Sequence, residues 1–211
     1  MEKKKNSALN VPNTLSLIRV MLVPAFVATL LFMRELGIWG IIVPTIVYAL
    51  TAFTDFLDGK IARKYNLITD FGKFIDPLAD KFMVIASQIA IMLWMFLMGN
   101  VTLALVFVWV VLIILLRELG VTSLRLVVAG KSGIVVAASM LGKMKTVSQM
   151  VGTVLILLEP IFSYFPESEF ASFMWTYHPI AYVMMALMAF TTIFSGIDYL
   201  KTYLPHVNTN E

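Results

Sequence analysis

The chain has 211 residues, of which 60% are apolar and 14% charged, and its formal net charge is +3. Soluble domains carry about 25% charged residues, so this composition excludes an ordinary soluble globule and a disordered chain. Cysteine is absent and only two histidines occur, which excludes disulfide scaffolds and thiolate metal sites and argues against a histidine-based zinc or haem centre.

A membrane-spanning helix needs about 20 apolar residues, and the charge-free intervals mark where such helices fall. The expected fold is all-α: a polytopic membrane protein with a bundle of six transmembrane helices, forming one domain over 1–211. Residues 1–13 form a short N-terminal segment. Its run of Lys3, Lys4 and Lys5 precedes an apolar stretch that lacks an A-x-A cleavage site, so the first helix is expected to be retained. That helix is predicted over 14–34 and the second over 38–57. The interval 82–116 has no charge and would reach about 52 Å as one helix, too long for a hydrocarbon core of about 30 Å. Gly99-Asn100 reads as a tight turn in its middle, giving helices over 76–98 and 101–127, the latter projecting beyond the membrane. The fifth is predicted over 142–163. After a stretch of polar loop character, the sixth runs over 178–200.

With six spans, the basic clusters fall on one side. Lys3 to Lys5 precede helix one, and Lys60, Arg63, Lys64 and Lys73 separate helices two and three. Arg117, Arg125, Lys131, Lys143 and Lys145 lie where helices four and five join, and Lys201 follows helix six. The positive-inside rule makes that side, with both termini, cytoplasmic. The location expected is the cell (plasma) membrane. The net charge calls for no nucleic-acid partner, and headgroup anchoring accounts for most of these bases.

Residues 55–80, DFLDGKIARKYNLITDFGKFIDPLAD, carry the chemistry. Five of the 13 acidic residues fall here, and an ionisable group at membrane depth is a functional hypothesis by default. Asp55 and Asp58 are i and i+3, on one helix face, with Gly59 and Ala62 on or beside it leaving room for something flat or bulky. Gly72, Asp76 and Asp80 are i, i+4 and i+8, one stripe if helix three starts early. The short loop between makes the two helices antiparallel neighbours, so four carboxylates converge at the cytoplasmic end. They repel one another unless a cation is present, and an all-oxygen donor set suits Mg²⁺, Mn²⁺ or Ca²⁺. Two ions sharing four carboxylates could bind a diphosphate. Helix capping and pairing with Lys60, Arg63, Lys64, Lys73 and Lys81 would explain one such Asp, but not four at these spacings.

The pattern Asp55-x2-Asp58-Gly59-x2-Ala62-Arg63-x8-Gly72-x3-Asp76-x3-Asp80 resembles the signature of the CDP-alcohol phosphotransferases, integral membrane enzymes of phospholipid synthesis with a six-helix layout. The resemblance implies that Asp55, Asp58, Asp76 and Asp80 are ligands of Mg²⁺ or Mn²⁺, two ions in all. It also implies that Asp80 is the catalytic base that deprotonates the acceptor alcohol. Gly59 and Ala62 would let the cytidine lie close, Gly72 belongs to the same CDP-lipid contact set, and Arg63 and Thr69 would touch the nucleotide or diphosphate. Pro12-Asn13-Thr14-Leu15-Ser16 with Arg19 resembles the start of the family's first helix, where Asn13 lies near the nucleotide. Ser16 replaces the usual Thr and keeps the hydroxyl. The donor implied is CDP-diacylglycerol, with CMP as leaving group. A homodimer among membrane lipids is implied as well. The faces of helices three and four that carry Met92, Trp94, Met95, Phe96, Phe107 and Trp109 suit a second copy or lipid equally.

For the acceptor, Arg117 and Arg125 are i and i+8 on helix four, roughly one face, with Glu118 placed to orient one of them. Lys143 and Lys145 open helix five within Gly142-Lys143-Met144-Lys145-Thr146. Together they make a cationic pocket for an acceptor phosphate. Arg117 directly ends an apolar run and is expected to face inward. These strings resemble the phosphatidylglycerophosphate synthase branch of the family, which implies sn-glycerol 3-phosphate. Inositol phosphate or phosphatidylglycerol are the alternatives within the family. An Asp-rich intramembrane prenyltransferase lacks the Gly59/Ala62/Arg63/Gly72 pattern. A cation transporter would place its acids near mid-membrane rather than at helix ends.

Overall fold

The computed structural model describes the backbone of residues 11–65, 70–132 and 139–207. Within those helices, the side chains of 11–13, 15, 55–65, 70–74, 76, 129, 131–132 and 204–207 are outside the described set. All regular structure among the described residues is helical. The elements are α1 (Val11–Phe32), α2 (Trp39–Tyr65), α3 (Asp70–Leu97), α4 (Val101–Ser132), α5 (Met140–Leu158), a 3-10 segment (Glu159–Tyr164), α6 (Glu169–Tyr177) and α7 (Pro179–Val207). Among the described residues, four stretches are long and apolar enough to cross a membrane: Pro77–Leu97, Val101–Val128, Met140–Tyr164 and Pro179–Tyr203. Two shorter apolar stretches, Ser16–Phe32 and Trp39–Thr54, lie in α1 and α2. The protein is a membrane protein.

Several boundaries differ from the sequence expectation; α4 runs on to Ser132 and the last helix to Val207. Helix α2 continues to Tyr65 rather than stopping at 57, and α3 starts at Asp70 rather than 76. Charge ends an apolar span but does not end a helix, since the backbone ladder continues wherever its bonds are made within the segment. The stretch read as polar loop contains α6. Ser168 caps it by accepting from Ala171 N–H at 3.4 Å, and His178 ends it at φ 46° and ψ 46°. The Gly99 turn is as expected, with φ +83°. Helix α4, 32 residues long, is about 48 Å in length and outruns a hydrocarbon core of about 30 Å.

The chain divides into two units, Met1–Trp94 and Met95–Glu211. In the first, α1 packs against α2. Phe26 and Tyr48 meet there with ring centroids 5.3 Å apart, among buried Val23, Leu30 and Ile41. Gly40 is needed at the start of α2, because a Cβ there would lie 2.4 Å from the carbonyl oxygen of Met33. Arg19 is buried in α1 at 2% exposure, beside fully buried Ser16.

In the second unit, α7 packs against both α4 and α5. A polar seam joins α5 to α7: Ser148 Oγ lies 2.7 Å from Thr191 Oγ1, and Gln149 Nε2 donates to Thr192 Oγ1 at 3.4 Å. Such bonds between helices suit a setting with no water to compete. Gly152 keeps the two helices close, since a Cβ there would lie 2.9 Å from Met188 Sδ. At the other end of α7, the Glu159 carboxylate accepts from the N–H groups of Ile180 at 2.7 Å and Ala181 at 3.0 Å. It thereby satisfies donors that a helix start leaves open. Of the positions offered to a second copy or to lipid, Trp94, Met95 and Phe107 are buried within the chain, while Phe96 and Trp109 are exposed. Only part of that sequence set is therefore available to an outside partner, because the inward stripe of an apolar helix is as apolar as its outward one.

Candidate functional site

The best-defined polar cluster lies in the second unit, where α4, α5 and α7 meet. Two arginines enter from α4. Arg117 donates from Nη2 to Ser195 Oγ on α7 at 2.7 Å and from Nη1 to Glu118 Oε1 at 3.3 Å. Arg125, two turns further along, donates from Nη2 to the Tyr199 hydroxyl on α7. Both guanidinium carbons stand over the Tyr199 ring, at 5.3 Å for Arg117 and 4.9 Å for Arg125. From α5, the buried Lys145 ammonium donates to Glu118 Oε1, so one buried carboxylate faces two cations, Arg117 and Lys145. Lys143 is exposed in the first turn of α5.

The geometry follows from local sequence. Arg117 closes the apolar run of α4, and a charge there must face the protein interior. It passes Gly196 on α7, where a Cβ would lie in ordinary contact, 3.4 Å from Arg117 Cγ. Ser139 caps α5 by accepting from Gly142 N–H, and its own N–H donates to the Tyr199 hydroxyl at 3.2 Å. The Nε atoms of Arg117 and Arg125 are both buried with no hydrogen-bond partner among the described residues. A buried donor left unmatched costs about 1–3 kcal/mol. Two in one cluster, with cations in excess of carboxylates, suit an oxyanion that accepts from several directions.

The structure thus brings Arg117, Arg125 and Lys145 into one cluster. Ser195 and Tyr199 are additions that the sequence reading did not single out. The signal was present as a hydroxyl and a phenol one helical turn apart in an otherwise apolar span.

The acidic residues lie in the first unit. Asp55, Asp58, Gly59, Ala62 and Arg63 all fall within the continuous helix α2, and Gly72, Asp76 and Asp80 within α3. The i, i+3 and i, i+4, i+8 spacings are therefore true helix spacings, and each set shares a face. Asp80 is half-buried, following fully buried Ala79. The side chains of Asp55, Asp58, Gly59, Ala62, Arg63, Gly72 and Asp76 lie outside the described residues, as does that of Asn13 in the first turn of α1. Thr69 lies outside them altogether.

The profile of the CDP-alcohol phosphatidyltransferase family matches residues 9–195. The chain belongs to this family. Relatives agree over nearly the full length. A Bacillus subtilis (strain 168) protein named CDP-diacylglycerol–glycerol-3-phosphate 3-phosphatidyltransferase is 37% identical over 201 residues, 91% of this chain and 94% of its own. A Mycobacterium tuberculosis (strain H37Rv) protein named probable phosphatidylglycerophosphate synthase is 34% identical over 195 residues, 92% of this chain and 82% of its own. A Pseudomonas fluorescens protein with the same name as the Bacillus one is 32% identical over 204 residues, 96% of this chain and 94% of its own. The matched range, 9–195, spans the Asp-rich segment and both arginines of α4.

Proposed function

We propose that the protein transfers the phosphatidyl group of CDP-diacylglycerol to sn-glycerol 3-phosphate, giving phosphatidylglycerophosphate and CMP. The observation that carries this reading is the pair of half-buried arginines of α4, Arg117 and Arg125, each with a buried Nε donor that has no hydrogen-bond partner among the described residues. They fit a phosphate on the acceptor, and the relatives' names join CDP-diacylglycerol to glycerol 3-phosphate. A neutral alcohol would leave both donors unmatched.

In the reaction, the acceptor hydroxyl oxygen attacks the phosphorus that carries the diacylglycerol. A new P–O bond forms, the bond from that phosphorus to the CMP phosphate oxygen breaks, and CMP leaves. Asp80 takes the hydroxyl proton as general base. Asp55, Asp58, Asp76 and Asp80 would hold Mg²⁺ or Mn²⁺, two ions in all, and this all-oxygen donor set fits such hard cations. When bound, the ions offset charge on the diphosphate. Asn13, Gly59, Ala62, Arg63, Thr69 and Gly72 form the CDP-lipid contacts. Arg117 and Arg125 orient the acceptor by its phosphate, with Lys143 and Lys145 adding positive charge. The two shorter apolar stretches of α1 and α2 complete six spans, with the active site and both termini on the cytoplasmic side of the plasma membrane. A homodimer is the expected assembly.

The test is CMP release from CDP-diacylglycerol in detergent micelles with glycerol 3-phosphate, inositol phosphate, phosphatidylglycerol and serine as acceptors. Glycerol 3-phosphate should be the best substrate. Serine as the best acceptor would overturn the reading.

A further inference from the structure

Tyr199 is buried at 1% exposure, yet it lies 74 residues away in sequence from Arg125, the cation it holds. Its phenol oxygen accepts from two directions, from Arg125 Nη2 and from the N–H of Ser139. It therefore ties α4 to the start of α5 through α7. Its ring underlies both guanidinium groups, at 5.3 and 4.9 Å, close enough for cation–π attraction to each. Tyr203, one turn on, stacks against that ring with centroids 5.9 Å apart and planes 24° from parallel. The first turn of α5 leaves space for the phenol: a Cβ on Gly142 would lie 3.3 Å from the Tyr199 hydroxyl and 3.4 Å from its Cε2. The glycine in Gly142-x-Lys-x-Thr thus has a steric reason, which is access for Tyr199.

Two guanidinium groups over one ring repel each other, and each has alternative rotamers. An unmatched Nε donor on each is useful to a ligand only if both groups are held still. We propose that Tyr199 is a positioning residue that fixes Arg117 and Arg125 as a paired receptor for the acceptor's phosphate. The proposal rests on the acceptor reading above. Tyr199 acts through the arginines: the ring holds both groups, and the hydroxyl sets the angle of Arg125. Removing the hydroxyl leaves the charge of the pocket unchanged and disturbs only its order. The effect therefore falls on acceptor binding rather than on the donor lipid.

The experiment compares Tyr199→Phe, Tyr199→Leu, Gly142→Ala and Arg125→Ala in the full-length protein, with CMP release as readout. Each substrate is varied while the other is saturating, and melting temperature is recorded for each variant. Tyr199→Phe should raise KM for glycerol 3-phosphate about tenfold, the loss of one charge-assisted hydrogen bond. KM for CDP-diacylglycerol should stay within about twofold by the same conversion. Tyr199→Leu, which also loses the ring, should be worse, so that Phe is a partial rescue. Gly142→Ala, which keeps the phenol but crowds it, should move acceptor KM in the same direction and serves if the Tyr199 variants fail to fold. If Arg125→Ala raises acceptor KM and neither Tyr199→Phe nor Gly142→Ala does, the positioning role is overturned while the pocket stands. If Arg125→Ala also leaves acceptor KM unchanged, the pocket reading falls and the proposal with it. Equal losses for both substrates, tracking a lowered melting temperature, would mark Tyr199 as structural only.

Discussion

Replacing Arg117 tests the acceptor pocket most directly, because every contact of this side chain has a separate consequence. Arg117→Ala removes the donor to Ser195 at 2.7 Å and the weaker one to Glu118 at 3.3 Å, and it deletes the open Nε donor. Glu118 keeps Lys145 as its partner, so the local charges remain balanced and the fold should persist. A phosphate loses one charge-assisted contact, worth about 1.5–3 kcal/mol, or roughly ten- to a hundredfold in affinity. Apparent KM for glycerol 3-phosphate should rise by about that factor, with KM for CDP-diacylglycerol little changed. Arg117→Lys should recover only part of the loss, because an ammonium restores charge without the planar fork. The assay is CMP release in mixed micelles over a wide range of acceptor concentration. The reasoning is refuted if Arg117→Ala leaves acceptor KM within twofold, about 0.4 kcal/mol, or if the loss falls on the CDP-lipid alone.

Three further outcomes are expected. Asp58→Asn should leave less than about a tenth of wild-type turnover, since over 1.4 kcal/mol of transition-state stabilisation is at stake; it should also weaken Mn²⁺ binding measured by calorimetry, and unchanged binding would contradict the ligand assignment. Glu118→Gln should lower the melting temperature, because it removes the carboxylate that the buried Lys145 ammonium bonds and breaking a buried pair costs about 3–5 kcal/mol, and adding Lys145→Met should restore much of it; a neutral single variant would contradict the pairing. Burial holds the His178 imidazole below its ordinary value of 6.5, and Glu159 at 3.8 Å is too far to hydrogen-bond and reverse this. The unfolded chain therefore takes up the proton first. Stability from this group is whole above about pH 6.5 and declines as pH falls through it, so the melting temperature should drop between pH 7.5 and 5.5. His178→Asn, which tolerates the left-handed backbone, should flatten that dependence; an unchanged slope would contradict it.

Much of the helical order was legible because charge-free intervals report the cost of placing ions in hydrocarbon. That signal locates spans rather than helices. It ends the second charge-free interval before Asp55 and carries the predicted helix only to 57, whereas the helix runs to Tyr65. It passed over α6 because nine residues are too few to span. What marks α6 is chemistry at its ends, the Ser168 cap and the left-handed His178.

The cluster on α4 divides in the same way. That Arg117 faces inward could be read from one residue, since a guanidinium ending an apolar run has no affordable outward orientation. Its partners could not be read so, because Ser195 lies 78 residues away and a hydroxyl in an apolar helix most often bonds its own backbone. Thr45, Thr51, Thr122 and Thr202 each donate to the carbonyl four residues back. Ser195 and Tyr199 differ from these only because the packing of α7 on α4 brings an arginine to each. Gly142 is the trace of that packing left in the sequence: it is small where the Tyr199 phenol of α7 must pass, with a Cβ there only 3.3 Å from the hydroxyl. A glycine in the first turn of a helix, next to a cap whose own N–H bonds the same phenol, therefore tells of a side chain crossing between helices.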